Sequence, residues 1–309
     1  FKAQDRLISL LKAQEAKSDL TEEQDAYLHE TLYYGRTEYQ LEEVFKEQTL
    51  KPLVRHMNLN QLSIEDMDQY LYARHAPESN ARLKKINPDR NDNNALSGMS
   101  NIEALRIINN FAKSGKLKKL ERVVKKVDAI VEATRQLMVD SGLETQETVD
   151  KWRDTYQFYA PLKGDPIGDS LLPKRGQGFG IRGKESMRRM GRKSAATDIL
   201  TNIVAAYEAT VIRAQKNRVG RSLLAFTQHT NGPWKVDKPK LKKTIDKDTG
   251  FVVKKIDPSY KYADNVFPVK VGGKEHHIIF DEHNAHAMFI VHSMRNLGAQ
   301  EMGLHIKAG

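Results

Sequence analysis

The feature that most constrains the fold is a long amphipathic stretch at 116–141. Its residues recur at alternating spacings of three and four, which places them on one stripe of an α-helix: Leu117, Leu120, Val124, Val127, Val131, Thr134 and Met138. Such a stripe packs against another helix, either in an ordinary bundle or in a coiled coil with a neighbouring subunit. Gly142 follows directly and predicts the end of the helix.

The rest of residues 1–159 predicts a helical domain. Thr21 and Ser63 are followed by acidic residues and are typical N-caps. Pro52 is expected to kink or end a helix, because proline lacks the N–H donor. Residues 77–99 are rich in Asn, Asp, Pro and Ser and predict a long loop. Further helices are expected over 101–115 and 145–159.

The second half changes character twice. Residues 160–194 mix proline, glycine and basic residues and predict a linker or arm, and 195–232 then predicts one long helix ending before Asn231–Gly232. From 233 to 309 the hydrophobic period becomes two, which indicates three or four strands (234–236, 251–256, 266–271 and 275–280) before a helix over 282–297. Asp248–Thr249–Gly250 and Gly272–Gly273 are turn signals, and the second is typical of a two-residue hairpin. The predicted fold is mainly α, an elongated helical bundle with a small antiparallel β-sheet subdomain near the C-terminus, and α+β overall.

Composition narrows the chemistry. The chain has no cysteine, which excludes disulfides and thiolate chemistry, and it has no run of 18 apolar residues that could cross a membrane. The net charge is +10, and residues 173–255 alone hold 20 basic against 6 acidic residues. Such asymmetry favours a polyanionic partner, whereas a solvated charged face is the plainer interpretation.

The basic excess supplies the candidate nucleic-acid-binding residues. Arginine grips phosphate oxygens in a bidentate manner, and glycines let the backbone approach closely. Phe179 is the one aromatic residue in 174–193 that could stack on bases, so non-specific phosphate contact is expected. An arm that docks onto an acidic surface of another subunit is the rival interpretation. The candidates lie in the arm and on the long helix: Lys174, Arg175, Arg182, Lys184, Arg188, Arg189, Arg192, Lys193, Arg213, Lys216 and Arg221.

No pattern points to catalysis, a metal or a cofactor. The stretch 178–183 matches G-x-G-x-x-G, but it follows proline and basic residues and not a strand, so no nucleotide site is expected. Several histidines cluster late, but His276 and His277 are neighbours on a predicted strand and point to opposite faces. The spacing of His283 and His286 would allow both side chains to bind one metal ion, but it does not imply a metal site. We therefore expect no catalytic residue, no metal and no cofactor.

Three segments carry a family resemblance. They are Tyr159–Ala160–Pro161–Leu162–Lys163–Gly164, then Gly176–Gln177–Gly178–Phe179, and the long helix with Ala214–Gln215–Lys216–Asn217–Arg218–Val219–Gly220. Together they resemble the large polyvalent protein-associated regions of giant bacteriophage and prophage proteins. Because the chain begins at Phe1 and not at Met, we expect it to be an ordered part of a longer polypeptide.

The resemblance implies a setting. Such proteins are internal virion or ejection proteins, made in the host cytoplasm, packed in the capsid and delivered with the genome into the host envelope or cytoplasm. It implies a non-catalytic assembly segment whose partners are copies of itself, other virion proteins and DNA without sequence preference. The alternatives are a nucleic-acid-binding module acting through 173–255, or a fragment of a large phage enzyme such as a virion polymerase or a polyvalent antirestriction protein.

Overall fold

The computed structural model describes residues 21–88, 95–162, 179–183, 185, 191–192, 194–245, 252–261 and 263–300. A short 3-10 helix, Glu22–Gln24, precedes the described helices α1 (Ala26–Thr31), α2 (Tyr33–Glu38), the π-helical segment Tyr39–Leu50, α3 (Lys51–Leu59), α4 (Ile64–Ile86), α5 (Asn101–Lys113), α6 (Leu117–Asp140), α7 (Gln146–Thr155), α8 (Ile199–His229), α9 (Pro258–Lys261) and α10 (Ala285–Gln300). The described strands are β1 (Trp234–Asp237), β2 (Leu241–Ile245), β3 (Val252–Ile256), β4 (Val266–Val271) and β5 (Lys274–Phe280).

The expected class, mainly α with a small antiparallel sheet near the C-terminus, is confirmed. The amphipathic stripe forms α6, and its residues Leu120, Val124, Val127 and Thr134 are buried. This stripe packs against α8 and α3 of the same chain. The helical partner that the stripe required is therefore intramolecular.

The predicted loop over 77–99 is wrong for its first half. Helix α4 continues through Pro77 to Ile86. Proline removes one backbone hydrogen bond, but burial on both sides of it holds the helix, as Ala76 and Leu83 are both at most 2% exposed. Asn80, further along α4, then fixes the turn that precedes α5: its side chain donates to the Met99 carbonyl (2.9 Å) and accepts from the Ser97 N–H (2.7 Å).

The helical stretch does not end at Pro52 either. Residues 39–50 form a π-helical segment, and the α-helical pattern resumes at Lys51 with Pro52 in the first turn of α3. Proline has no N–H to bond a carbonyl of the preceding turn, and the π-helical pattern ends at Leu50, two residues before it. The hydrogen-bonding pattern therefore changes near the proline while the chain stays helical.

Helix α8 joins two hydrophobic cores. It has 31 residues and is about 46 Å long at 1.5 Å per residue. Its first half, including Ile203 and Val211, is buried in a helical core formed with α3, α4, α5 and α6. Its second half, including Leu223 and Phe226, is buried against the sheet, α1 and α10. One helix therefore couples the packing of the helical part to that of the sheet.

The sheet has the order β1-β5-β4 and is antiparallel throughout. Gly272 and Gly273 connect β4 to β5 with φ angles of 53° and 71°, as the hairpin signal predicted. Gly220 of α8 faces β4, where a Cβ atom would lie 3.2 Å from Val269 Cγ2. The glycine therefore lets the helix approach the sheet closely.

Strands β2 and β3 form a separate two-stranded antiparallel sheet. Strand β2 was not predicted, and the predicted turn at 248–250 lies outside the described residues. No other described element packs against this pair by more than isolated contacts. Among the described residues, no helix combines the length and apolarity needed to cross a membrane.

Candidate nucleic-acid interface

Six of the eleven candidate residues lie outside the described residues: Lys174, Arg175, Lys184, Arg188, Arg189 and Lys193. Their assignment as phosphate contacts stays a prediction. The other five can be placed, and four of them are engaged inside the protein.

Arg213 belongs to a buried ion cluster around Glu185. Its guanidinium donates twice to that carboxylate, at 2.9 Å from Nε and 2.6 Å from Nη2. Lys270 of β4 adds a third contact, with Nζ 2.7 Å from Oε1 of Glu185. The side chains of Glu185 and Lys270 are only 3% and 5% exposed. Glu185 thus links the arm to α8 and to the sheet.

The pKa of Glu185 reports this environment. Burial on its own raises the pKa of a carboxyl, because it penalises the charged form. The hydrogen bond and charge of Arg213, followed by those of Lys270, outweigh that penalty and hold the pKa of Glu185 below its usual range. The carboxylate is therefore ionised at neutral pH, and it compensates the two cations beside it.

Lys216 is also internal, at 4% exposure. Burial, and secondarily the positive charge of Arg213, lowers the pKa of its ammonium group. A phosphate at the protein surface cannot reach a lysine in this position without local rearrangement. We therefore leave Lys216 and Arg213 out of the proposed interface.

The two remaining arm arginines are half-buried and donate to the backbone. Arg192 Nη2 lies 2.7 Å from the Ala195 carbonyl oxygen, and Arg182 Nη2 lies 3.5 Å from that of Val266. Arg221 alone among the five placed candidates is exposed. The Arg182 contact thus reaches β4, whereas the Arg192 bond is local, to a carbonyl three residues further along the chain.

Phe179 does not offer a stacking surface. Its ring is fully buried and lies edge-on to Tyr33, with 4.9 Å between the ring centroids. Its neighbour Gly180 packs closely on Pro268. The G-x-G-x-x-G stretch is therefore used, in its described part, to dock the chain against β4 and α2.

The exposed positive charge lies instead on β2 and β3, which we call the lysine ribbon (241–245 and 252–256). Its register places Lys242 opposite Lys255 and Lys243 opposite Lys254. Residues directly opposite in an antiparallel pair share a face, with Cβ atoms about 4.5–5.5 Å apart. Each face of the ribbon therefore carries one pair of like charges at close range.

These lysines are solvent-exposed. Within the part of the chain that the structure describes, Lys242, Lys243 and Lys254 form no ion pair with an acidic side chain. Lys240 lies just before the ribbon and contacts the Tyr260 ring at 5.1 Å. The hydrogen bond to Tyr260 raises the pKa of Lys240.

The late histidines form no metal centre in the described ranges, where no group of three or more His, Asp or Glu side chains is placed to hold an ion. His277 is buried on β5 and pairs with Glu275 at 2.9 Å. Tyr260 stacks against it, with 6.3 Å between the ring centroids. His283 is 88% exposed, so these two histidines lie in different environments.

Comparison with known proteins finds no match. No family model matches the chain, and neither the curated proteins nor the solved structures contain a significantly similar one.

Proposed function

We propose that this chain is a non-catalytic segment that lies beside nucleic acid and contacts its phosphates, without sequence preference, through the lysine ribbon. One observation carries the proposal, namely the two cross-strand lysine pairs Lys242–Lys255 and Lys243–Lys254. Like charges directly opposite each other destabilise a strand pair. When the ribbon enters a groove of a duplex, phosphates flank both of its faces, which removes this repulsion and adds the attraction of all four charges.

The chemistry of the ribbon favours phosphate contact over base recognition. Lysine acts as a point charge on a flexible stem, so it lacks the planar fork with which arginine reads guanine. The setting that we propose is a phage internal virion protein, by the resemblance given above. A protein packed against a genome in a capsid needs such a surface for polyanions.

The test is binding to random-sequence duplex DNA across a salt series. Four neutralised phosphates predict a slope of about −3.6 for log K against log salt concentration, at roughly −0.9 per phosphate. Substituting Lys242, Lys243, Lys254 and Lys255 by Glu removes most of the affinity and flattens the slope. Substituting the exposed lysines of α4 and α6 (Lys84, Lys85, Lys118 and Lys125) by Glu makes the same change in net charge and leaves the slope nearly unchanged.

Two results contradict the proposal. One is equal loss of binding in both quadruple variants, which would show that net charge and not the ribbon attracts DNA. The other is no binding by the wild-type chain at low salt. The setting has its own test, since mass spectrometry of purified virions is expected to recover peptides of this chain.

A specific observation also supports an assembly role. Ile102 and Leu105 of α5 lie three residues apart on one face and are 83% and 60% exposed. We propose that copies of the chain, or other virion proteins, cover this face. Sedimentation velocity is expected to show association that Ile102→Ser with Leu105→Ser abolishes, whereas Leu59→Ser on α3, equally exposed at 74%, retains it. A wild-type chain that stays monomeric with and without virion proteins would contradict the role.

A further inference from the structure

The lysine ribbon carries more than charge, because its two faces differ. Side chains alternate between faces along a strand, so the register puts three rungs on one face: Leu241 with Ile256, Lys243 with Lys254, and Ile245 with Val252. The opposite face carries Lys242 with Lys255. The first face is thus a cationic rung between two apolar rungs.

The apolar rung Ile245–Val252 lies at one end of the described ribbon. The pair Leu241–Ile256 lies at the other end, next to residues 240 and 257. Ile245 is 68% exposed and Val252 is 67% exposed. Large apolar side chains clustered on a surface usually mark a contact with a partner. Here both members of a cross-strand pair are exposed together.

The neighbouring rung restricts what that partner can be. Lys243 and Lys254 lie two residues back along each strand, about 6.8 Å away at 3.4 Å per residue. A purely apolar protein surface or the interior of a bilayer would have to bury these two charges without a counterion, which is strongly unfavourable. The partner must therefore offer apolar surface and negative charge a few ångströms apart.

Duplex nucleic acid has this arrangement. The faces of its stacked bases are apolar, and phosphates follow each strand at about 3.4 Å of axial rise. Proteins that enter the minor groove often insert aliphatic side chains between base steps, which unstacks the step and kinks the duplex by roughly 20–90°. Lys242 and Lys243 lie on opposite faces of the ribbon and are both exposed, so the ribbon can enter a groove in this way.

We propose that the Ile245–Val252 rung inserts between base pairs of duplex DNA from the minor groove, so that the lysine ribbon bends the DNA that it binds. This inference rests on the proposed function, because the lysines must first hold the duplex. It extends that function from charge neutralisation to compaction, since a bent duplex occupies less space.

The experiment measures bending and binding separately. A random-sequence duplex of about 30 base pairs with a fluorophore at each end is titrated with the protein, and energy transfer reports the end-to-end distance. The wild-type chain is expected to increase energy transfer on binding. Ile245→Thr with Val252→Thr retains β-branching and all the lysines, so it is expected to bind with an unchanged salt slope and to lose the increase.

The matched control lies on the same face of the ribbon. Leu241→Thr changes an aliphatic residue that is 58% exposed, at the opposite end of the described ribbon, and is expected to retain the bend. Circular dichroism of all three proteins checks that the fold is kept. Wild-type binding without a change in energy transfer overturns the inference, as does equal bending by the double variant.

Two further outcomes are separable. If the wild-type chain binds no DNA at low salt, the proposed function is contradicted, and the proposed insertion of the rung is contradicted with it. If instead the double variant bends DNA normally but no longer co-sediments with vesicles of phosphatidylcholine and phosphatidylserine, the rung contacts lipid. The proposed insertion into DNA is then overturned.

Discussion

The buried ion cluster and the lysine ribbon hold the same kind of charge in opposite circumstances. In the cluster, Arg213 and Lys270 surround one carboxylate, and that carboxylate is almost completely removed from water. In the ribbon, Lys243 and Lys254 face each other in solvent with no acidic partner among the described residues. A basic stretch of sequence therefore mixes cations that fix the fold with cations that remain available to a ligand.

The largest effect is expected from Glu185→Gln. This substitution removes the negative charge and leaves Arg213 and Lys270 uncompensated, and breaking a buried ion pair costs about 3–5 kcal/mol. The free energy of unfolding from urea titrations is expected to fall by about that amount. Glu147→Gln is the control, because its pair with Lys151 is exposed at 78% and 70% and such pairs contribute at most about 1 kcal/mol. Equal small losses in both variants would mean that the cluster is not structurally important.

The pH dependence of the stability is a second test of the role of Glu185. The folded-state pKa of Glu185 is lowered from its ordinary 4.5, so its stabilising contribution is complete above about pH 4.5 and is lost as the pH falls through the lowered folded-state value. The stability difference between the wild-type chain and Glu185→Gln is therefore expected to be constant near neutrality and to shrink in acid. Burial raises the pKa of Glu144, and the charge of Glu185 also raises it, so the two proteins are compared in a Glu144→Gln background. A difference that grows in acid would reverse the assignment.

A smaller loss is expected from Asn217→Ala. The Asn217 amide is fully buried and serves three backbone groups: it donates to the carbonyls of Ser141 (2.9 Å) and Lys270 (2.8 Å) and accepts from the Lys270 N–H (2.9 Å). Leaving buried polar groups unsatisfied costs about 1–3 kcal/mol. Urea titration is expected to show a loss in this range. Asn109→Ala, at an exposed position of α5, is the control and is expected to change stability little, so equal effects would contradict this role.

Particular residues show what the sequence could predict. The stripe of α6 and the Gly272–Gly273 hairpin were predicted correctly, because periodicity and glycine geometry are local properties. The continuation of α4 through Pro77 was missed, since burial of Ala76 and Leu83 depends on distant segments. The partner of Arg213 could not be found either, because Glu185 is 28 residues away and reaches it only through the tertiary fold.

The lysine ribbon was missed for a different reason. The stretch 241–245 begins and ends with aliphatic residues around Lys242, Lys243 and Thr244, so its charge hid the strand pattern. A signal was nevertheless present, because 241–245 and 252–256 each contain two adjacent lysines and end in isoleucine. Two matching basic segments on either side of the predicted turn at 248–250 favour a hairpin.

The smallest stability effect is expected from Lys243→Glu, and its sign is the most informative. The substitution replaces repulsion from Lys254 by attraction across the ribbon, which is worth about 0.2–1 kcal/mol for an opposite-charge pair. The free energy of unfolding is therefore expected to rise slightly, or at least not to fall, while the DNA salt slope becomes shallower by about 0.9 for the lost phosphate contact. Lys243→Gln separates the two effects, since it removes repulsion without adding attraction. Loss of the Glu185 charge is thus expected to destabilise the ion cluster, whereas a carboxylate at position 243 is expected to stabilise the ribbon and to weaken its binding to DNA. If Lys243→Glu left DNA binding unchanged, the exposed lysines would be no more available to a ligand than the buried ones.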